Sequence, residues 1–171
     1  MNDDHPQPAV EFEATLRTRG GGTGARRVML ENPERGEFIK SFTGWNYVEP
    51  GTLTLDGAAP LPLRSLANIV PLETEPDDLF TYRTLRDTGI ASRRGAPAYY
   101  GGIASAGPQR HLVILSQQPR PAVEHRLEVM ADVCLRDQLA VHDGQSVRVR
   151  VFHKDDWLHL RERGLGSCDN G

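Results

Sequence analysis

Residues 10 to 16, "VEFEATL", alternate in polarity. Val10, Phe12, Ala14 and Leu16 fall on one face, and Glu11, Glu13 and Thr15 on the other. That is the period of a half-buried strand. The same period returns in "PGTLTL" (50 to 55), where Leu53 and Leu55 oppose Thr52 and Thr54. It returns in "HRLEVMA" (125 to 131), which turns Leu127 and Val129 inward and Glu128 outward. In "QSVRVRVF" (145 to 152), Val147, Val149 and Val151 alternate with Ser146, Arg148 and Arg150. "RRVML" (26 to 30) and "LANIVPL" (66 to 72) read as further strands. "AYYGGIAS" (98 to 105) and "RHLVILS" (110 to 116) read as a hairpin turning at "AGPQ".

Helical signals are few. Asn32-Pro33 is a start signal, with proline at the first helical position. Phe38, Ile39 and Phe42 then give an apolar side, and Gly44 a stop. "DVCLRDQLA" (132 to 140) is predicted as a short helix capped by Asp132. Residues 73 to 97 are rich in charge, Gly and Pro and read as a long excursion with a helical turn near "DDLFTYRTL". Residues 1 to 9 are expected to be a disordered lead-in, 10 to 153 one domain, and 154 to 171 a frayed polar tail. Trp157, Leu158 and Leu160 are the apolar exceptions in that tail. Many short alternating strands with few helices predict a mainly β fold, a small closed barrel.

Composition narrows the function classes. A hydrophobic share of 38% over 171 residues suffices for a real core. The net charge of −3 gives no basic excess, so no nucleic-acid partner is expected. Only Lys40 and Lys154 among the 20 basic residues are lysine, a bias compatible with planar anion-binding groups or with codon composition alone. Cys134 and Cys168 make no disulfide framework, which suggests a reducing compartment. "MNDDHPQPA" does not read as a signal peptide, and no run approaches a membrane span. A cytoplasmic protein without a membrane partner is the expectation.

Chemistry is concentrated in three stretches. "TRGGGTGARR" (18 to 27) carries four glycines in five positions. Gly20, Gly22 and Ala25 fit GxGxxA, but a strand-like stretch follows where a dinucleotide fold needs a long helix. A Walker lysine is missing too. Two readings remain: a backbone nest for phosphates with Arg26 or Arg27 adding charge, or a wide hairpin loop. Thr52 and Thr54 offer two hydroxyls on one strand face, either as ligands for Mg²⁺ or as ordinary exposed strand threonines. Glu128 is the one acidic residue of its strand, and a short helix follows it. The histidines show no metal spacing.

In order, the blocks "RGGGTGARRVML", "EPGTLTL" and "LEVMADVCLRDQLAVHDGQSVRV" resemble the archaeal CTP-dependent riboflavin kinases, over roughly residues 10 to 152. That resemblance implies a six-stranded cradle-loop β-barrel. It implies that Gly20, Gly21, Gly22, Thr23, Gly24, Ala25 and Arg26 line the phosphates of CTP. Thr52 and Thr54 would hold Mg²⁺. Val133, Cys134, Leu135 and Arg136 would form the helix start that touches the nucleotide. Glu128 would meet the flavin, as the group that orients the acceptor hydroxyl or takes its proton. Two departures stand out. Thr54 replaces the family's asparagine, and "QQPRPAVEH" (117 to 125) has Arg120 where the family offers a threonine or tyrosine to the flavin. The implied activity is phosphate transfer from CTP to an alcohol, riboflavin by default. A non-catalytic nucleotide- or flavin-binding barrel is the alternative, and a DNA-binding cradle-loop protein a more distant one.

Overall fold

Period-2 patterning gives strands wherever one face can be buried, and the barrel closes on those faces. In the computed structural model the protein is described at residues 6–17, 33–49, 53–57, 70–74, 98–117 and 126–165. The strands are β1 (Val10–Leu16), β2 (Leu53–Gly57), β3 (Glu73–Thr74), β4 (Ala98–Ala106), β5 (Gln109–Gln117), β6 (Arg126–Met130) and β7 (Ser146–Val151). The helices are α1 (Pro33–Thr43), α2 (Leu135–Leu139) and α3 (Lys154–Arg163).

The sheet order is β3-β4-β5-β6-β2-β1-β7, and β7 also pairs with β4. Six antiparallel strands therefore form a closed barrel, with β3 outside it on the edge of β4. Leu55, Leu115, Leu127, Val129, Val147 and Val149 are fully buried in its interior. Closure removes the open edges that a flat sheet of these strands would leave. Among the described residues no helix is long and apolar enough to cross a membrane.

A second core covers the outer face of β4, β5 and β6. Tyr99, Ile103, Ile114 and Met130 point outward there and meet Ile39 of α1 and Trp157 of α3. Phe42 and Phe38 of α1 lie 5.7 and 6.1 Å from the Tyr99 ring. The amphipathic reading of α1 holds, and Gly44 ends it at φ +70, where glycine is favoured.

Three expectations need correction. Residues 154 to 163 are not a frayed tail but helix α3, docked through a Trp157 that is fully buried. Its indole Nε1 donates to the Gly102 carbonyl at 3.1 Å. One large aromatic anchors it, so apolar periodicity was weak. The short helix begins at Leu135, not near Asp132, because the Asp132 carboxylate meets His111 Nε2 at 2.8 Å. Residues 70 to 72 are not strand either: Val70 is exposed, Leu72 is buried, and pairing starts at Glu73. "RRVML", most of 73 to 97 and the stretch 118 to 125, with Arg120, lie outside the described residues.

Candidate functional site

Strand register sets which side chains are neighbours on the outer face. Thr54 of β2 pairs with Glu128 of β6, and Glu128 pairs on its other side with Ser116 of β5. Ser116 pairs with Tyr99 of β4. Directly opposed residues share a face, with Cβ atoms ~4.5–5.5 Å apart. Thr54, Glu128, Ser116 and Tyr99 thus form one polar row across four strands, alternating with the buried Leu53, Leu55, Leu127, Val129 and Leu115.

Arg35 of α1 closes over this row. Its side chain is 3% exposed, and Nη2 stands 3.5 Å from Glu128 Oε2. Nε donates to the Tyr99 hydroxyl at 2.9 Å, and the guanidinium carbon lies 5.7 Å from the Tyr99 ring centroid. A cation this deeply buried requires such partners, because removing a charge from water is costly. The arginine fork and the aromatic face suit one another. Glu128 is 24% exposed on its side chain, so the carboxylate is gripped from one side and partly open on the other. Among the described residues, neither Glu128 Oε1 nor the hydroxyls of Thr54 and Ser116 have a hydrogen-bond partner.

Several chain segments meet at the same end of the barrel. The Arg17 amide donates to the Thr54 carbonyl at 2.9 Å, just before the glycine-rich stretch begins. The Glu49 amide donates to the Ala131 carbonyl at 2.9 Å, just before "PGT". Gly20, Gly21, Gly22, Thr23, Gly24, Ala25, Arg26 and Thr52 themselves lie outside the described residues. Thr54 also has an acidic neighbour two residues on. Asp56 faces Arg126 at 3.5 Å and Arg17 at 3.9 Å.

The expected nucleotide-contact residues after β6 divide. Leu135 is buried in the barrel core, and Val133 packs partly against it. Arg136 is paired with Asp143 at 2.6 Å, across the turn that Gly144 makes at φ +84. Cys134 is exposed and stands at the N-cap of α2 without a side-chain cap bond. At five residues α2 is too short to supply a strong macrodipole.

Sequence reasoning missed Arg35, Ser116 and Tyr99. "PERGEF" reads as a charged helix start, and only the long-range register puts Ser116 beside Glu128. The one available signal was that Arg35 and Ile39 are four apart, on one helix face.

As for a metal, no group of three His, Cys, Asp or Glu side chains lies close enough to share one among the described residues. The donors beside one another, the Thr54 hydroxyl and Glu128 Oε1, are hard oxygens of the kind Mg²⁺ accepts along with water and phosphate oxygens.

No protein-family model matches the chain, and no curated protein matches it.

Proposed function

We propose that this protein is a Mg²⁺-dependent phosphotransferase like the CTP-dependent riboflavin kinases it resembles, moving a nucleotide's terminal phosphate to an alcohol, with riboflavin as the default acceptor. The observation that carries the reading is the cross-strand pair Thr54–Glu128: a hydroxyl and a half-open carboxylate side by side, where two of the three resembling blocks meet. The closed six-stranded barrel supports it as well.

In this reading Glu128 accepts a hydrogen bond from the acceptor alcohol and orients it. The alcohol oxygen bonds the terminal phosphorus as the bridging P–O bond breaks. The nucleotide leaves as its diphosphate, and the alcohol proton passes to Glu128 or to water. Thr54, with Thr52, would hold Mg²⁺, which would supply charge neutralisation on the transferring group. Gly20 to Arg26 would offer backbone N–H groups to the phosphates. The remaining work is positioning, which is what this class of chemistry demands.

A second reading, a barrel that binds nucleotide or flavin without turnover, is favoured by Thr54 itself, whose hydroxyl reaches less far than the family's asparagine amide.

The test is titration with CTP, ATP, GTP and UTP, with and without Mg²⁺, followed by chromatography of riboflavin incubated with each. CTP-dependent formation of FMN is the expected result. Binding without turnover would favour the second reading, and binding of neither a nucleotide nor riboflavin would remove both. Equal or better use of ATP would remove the preference for CTP.

A further inference from the structure

Arg35 is the most deeply buried charged side chain on the polar row, and it belongs to neither face of the barrel. It enters from α1, the helix that packs on the outer face through Ile39. Two of its polar partners are unlike. Tyr99 sits on β4, fully buried, and gives Arg35 a neutral hydroxyl at 2.9 Å. Glu128 sits on β6 and gives it one carboxylate oxygen at 3.5 Å. The first contact fixes the guanidinium against the sheet, and the second fixes the carboxylate against the guanidinium.

A glutamate on a strand has three side-chain torsions, and a half-exposed one samples several rotamers. A gripped Oε2 restricts that sampling. It leaves Oε1, which has no hydrogen-bond partner among the described residues, on a residue whose register neighbours are Thr54 and Ser116.

We propose that Arg35 is a positioning residue for Glu128. Anchored on the Tyr99 hydroxyl, it holds Oε2 so that Oε1 is presented in one orientation to a ligand hydroxyl. The inference rests on the phosphotransferase reading for the identity of that ligand. The mechanical part, Arg35 orienting Glu128, does not depend on it. Arg35 itself touches no ligand, since its side chain is only 3% exposed.

The experiment is a cycle of Arg35→Met, Arg35→Lys, Glu128→Gln and Arg35→Met/Glu128→Gln in the full chain. Each variant is read by initial rates with CTP and riboflavin and by the ¹³C resonance of the Glu128 side-chain carboxyl, assigned from its loss in Glu128→Gln. Arg35→Met is expected to lower kcat about tenfold or more, the scale set by loss of orientation at a reacting group. KM for CTP should stay within about twofold, since in this reading the nucleotide is held by the glycine-rich stretch and Arg35 acts only through Glu128. The double variant should be no slower than Glu128→Gln alone, because a residue acting through Glu128 has nothing left to act through. Arg35→Lys, which keeps the charge but not the fork, should fall between wild type and Arg35→Met. The carboxyl resonance should move in Arg35→Met. Multiplying losses in the double variant, or KM for CTP rising as far as kcat falls, would overturn the proposal. If Arg35→Met does not fold, Arg35→Lys takes its place in the cycle with the same criteria. Should the wild type transfer no phosphate at all, the phosphotransferase reading falls. The carboxyl resonance then decides alone: a shift in the Arg35 variant upholds the positioning role, and an unchanged resonance ends it.

Discussion

Gly101 and Trp157 touch because Gly101 has no side chain: a Cβ there would overlap Cγ of the indole. The tryptophan lies over bare backbone of β4 and donates to the carbonyl of the next residue, Gly102. Helix α3 is thereby fastened to β4, and Leu158 and Leu160 pack partly against the same outer core.

The first prediction follows from that contact. Trp157→Ala should destabilise the protein by about 3–5 kcal/mol, the range for emptying a buried aromatic site. Gly101→Ala should also destabilise, by ~1–3 kcal/mol, as an overpacked contact. The two should not add: with the indole gone, the new methyl has room, and Gly101→Ala should cost much less in the Trp157→Ala background. Urea unfolding of the four proteins measures this directly. Additive losses would show that the packing runs through other atoms.

A second prediction concerns Ala140, which ends α2 with φ 53 and ψ 45, the left-handed conformation. That conformation crowds an L side chain by roughly 1–2 kcal/mol. Glycine adopts it freely but loses more chain entropy on folding. Ala140 is exposed, so its methyl packs on little. Ala140→Gly should therefore stabilise by about 0.5–1 kcal/mol, seen as a higher urea midpoint at constant slope. A lower midpoint would mean that the methyl supports α2 more than the strain opposes it.

The third prediction tests the metal assignment at Thr54. An asparagine amide oxygen extends one bond further from the strand than a threonine hydroxyl and is a stronger neutral ligand. Thr54→Asn should tighten the Mg²⁺ dependence of CTP affinity and raise any transfer rate. The loss of β propensity should stay below ~1 kcal/mol at this half-exposed site. A folded variant with unchanged or weaker Mg²⁺ dependence would remove Thr54 from the metal site.

What the sequence made legible was set by how burial is distributed. β1 and β7 each bury one face and wet the other, so Phe12, Ala14, Val147 and Val149 announce themselves by alternation. β4 and β5 are buried on both faces, by the barrel inside and the helices outside. Their run of apolar residues identified a hairpin but not the second core. Helix α3 was missed because its one fully buried residue is Trp157, with Leu158 and Leu160 only partly covered, which leaves no apolar stripe. The start of α2 was misplaced because Asp132 is taken by His111, a partner from β5 that no local pattern names.

The site was half legible for a related reason. Glu128 is an outward residue between two inward ones, and that much is local. Arg35 lies 93 residues away in the chain and looks like any charged residue in a helix's first turn. Only folding puts its guanidinium under cover. A buried cation is a tertiary fact, and its sequence trace is no more than the spacing from Arg35 to Ile39.

The place of β7 in the barrel has a kinetic consequence. It pairs along one edge with β1, from Val10–Val151 to Thr15–Ser146, and along the other with β4, from Gly102 to Ser105. The last of the described strands is thus the stave that shuts the barrel, and both of its seams join segments far apart in sequence. Such pairings must bear loop-closure entropy before their contacts reward it, so folding belongs in the millisecond-to-second range of non-local β proteins. During synthesis, β1 and β4 each wait with an unpaired edge until residues 146 to 151 have emerged. In that interval the nascent chain is most open to pairing with a strand from another molecule.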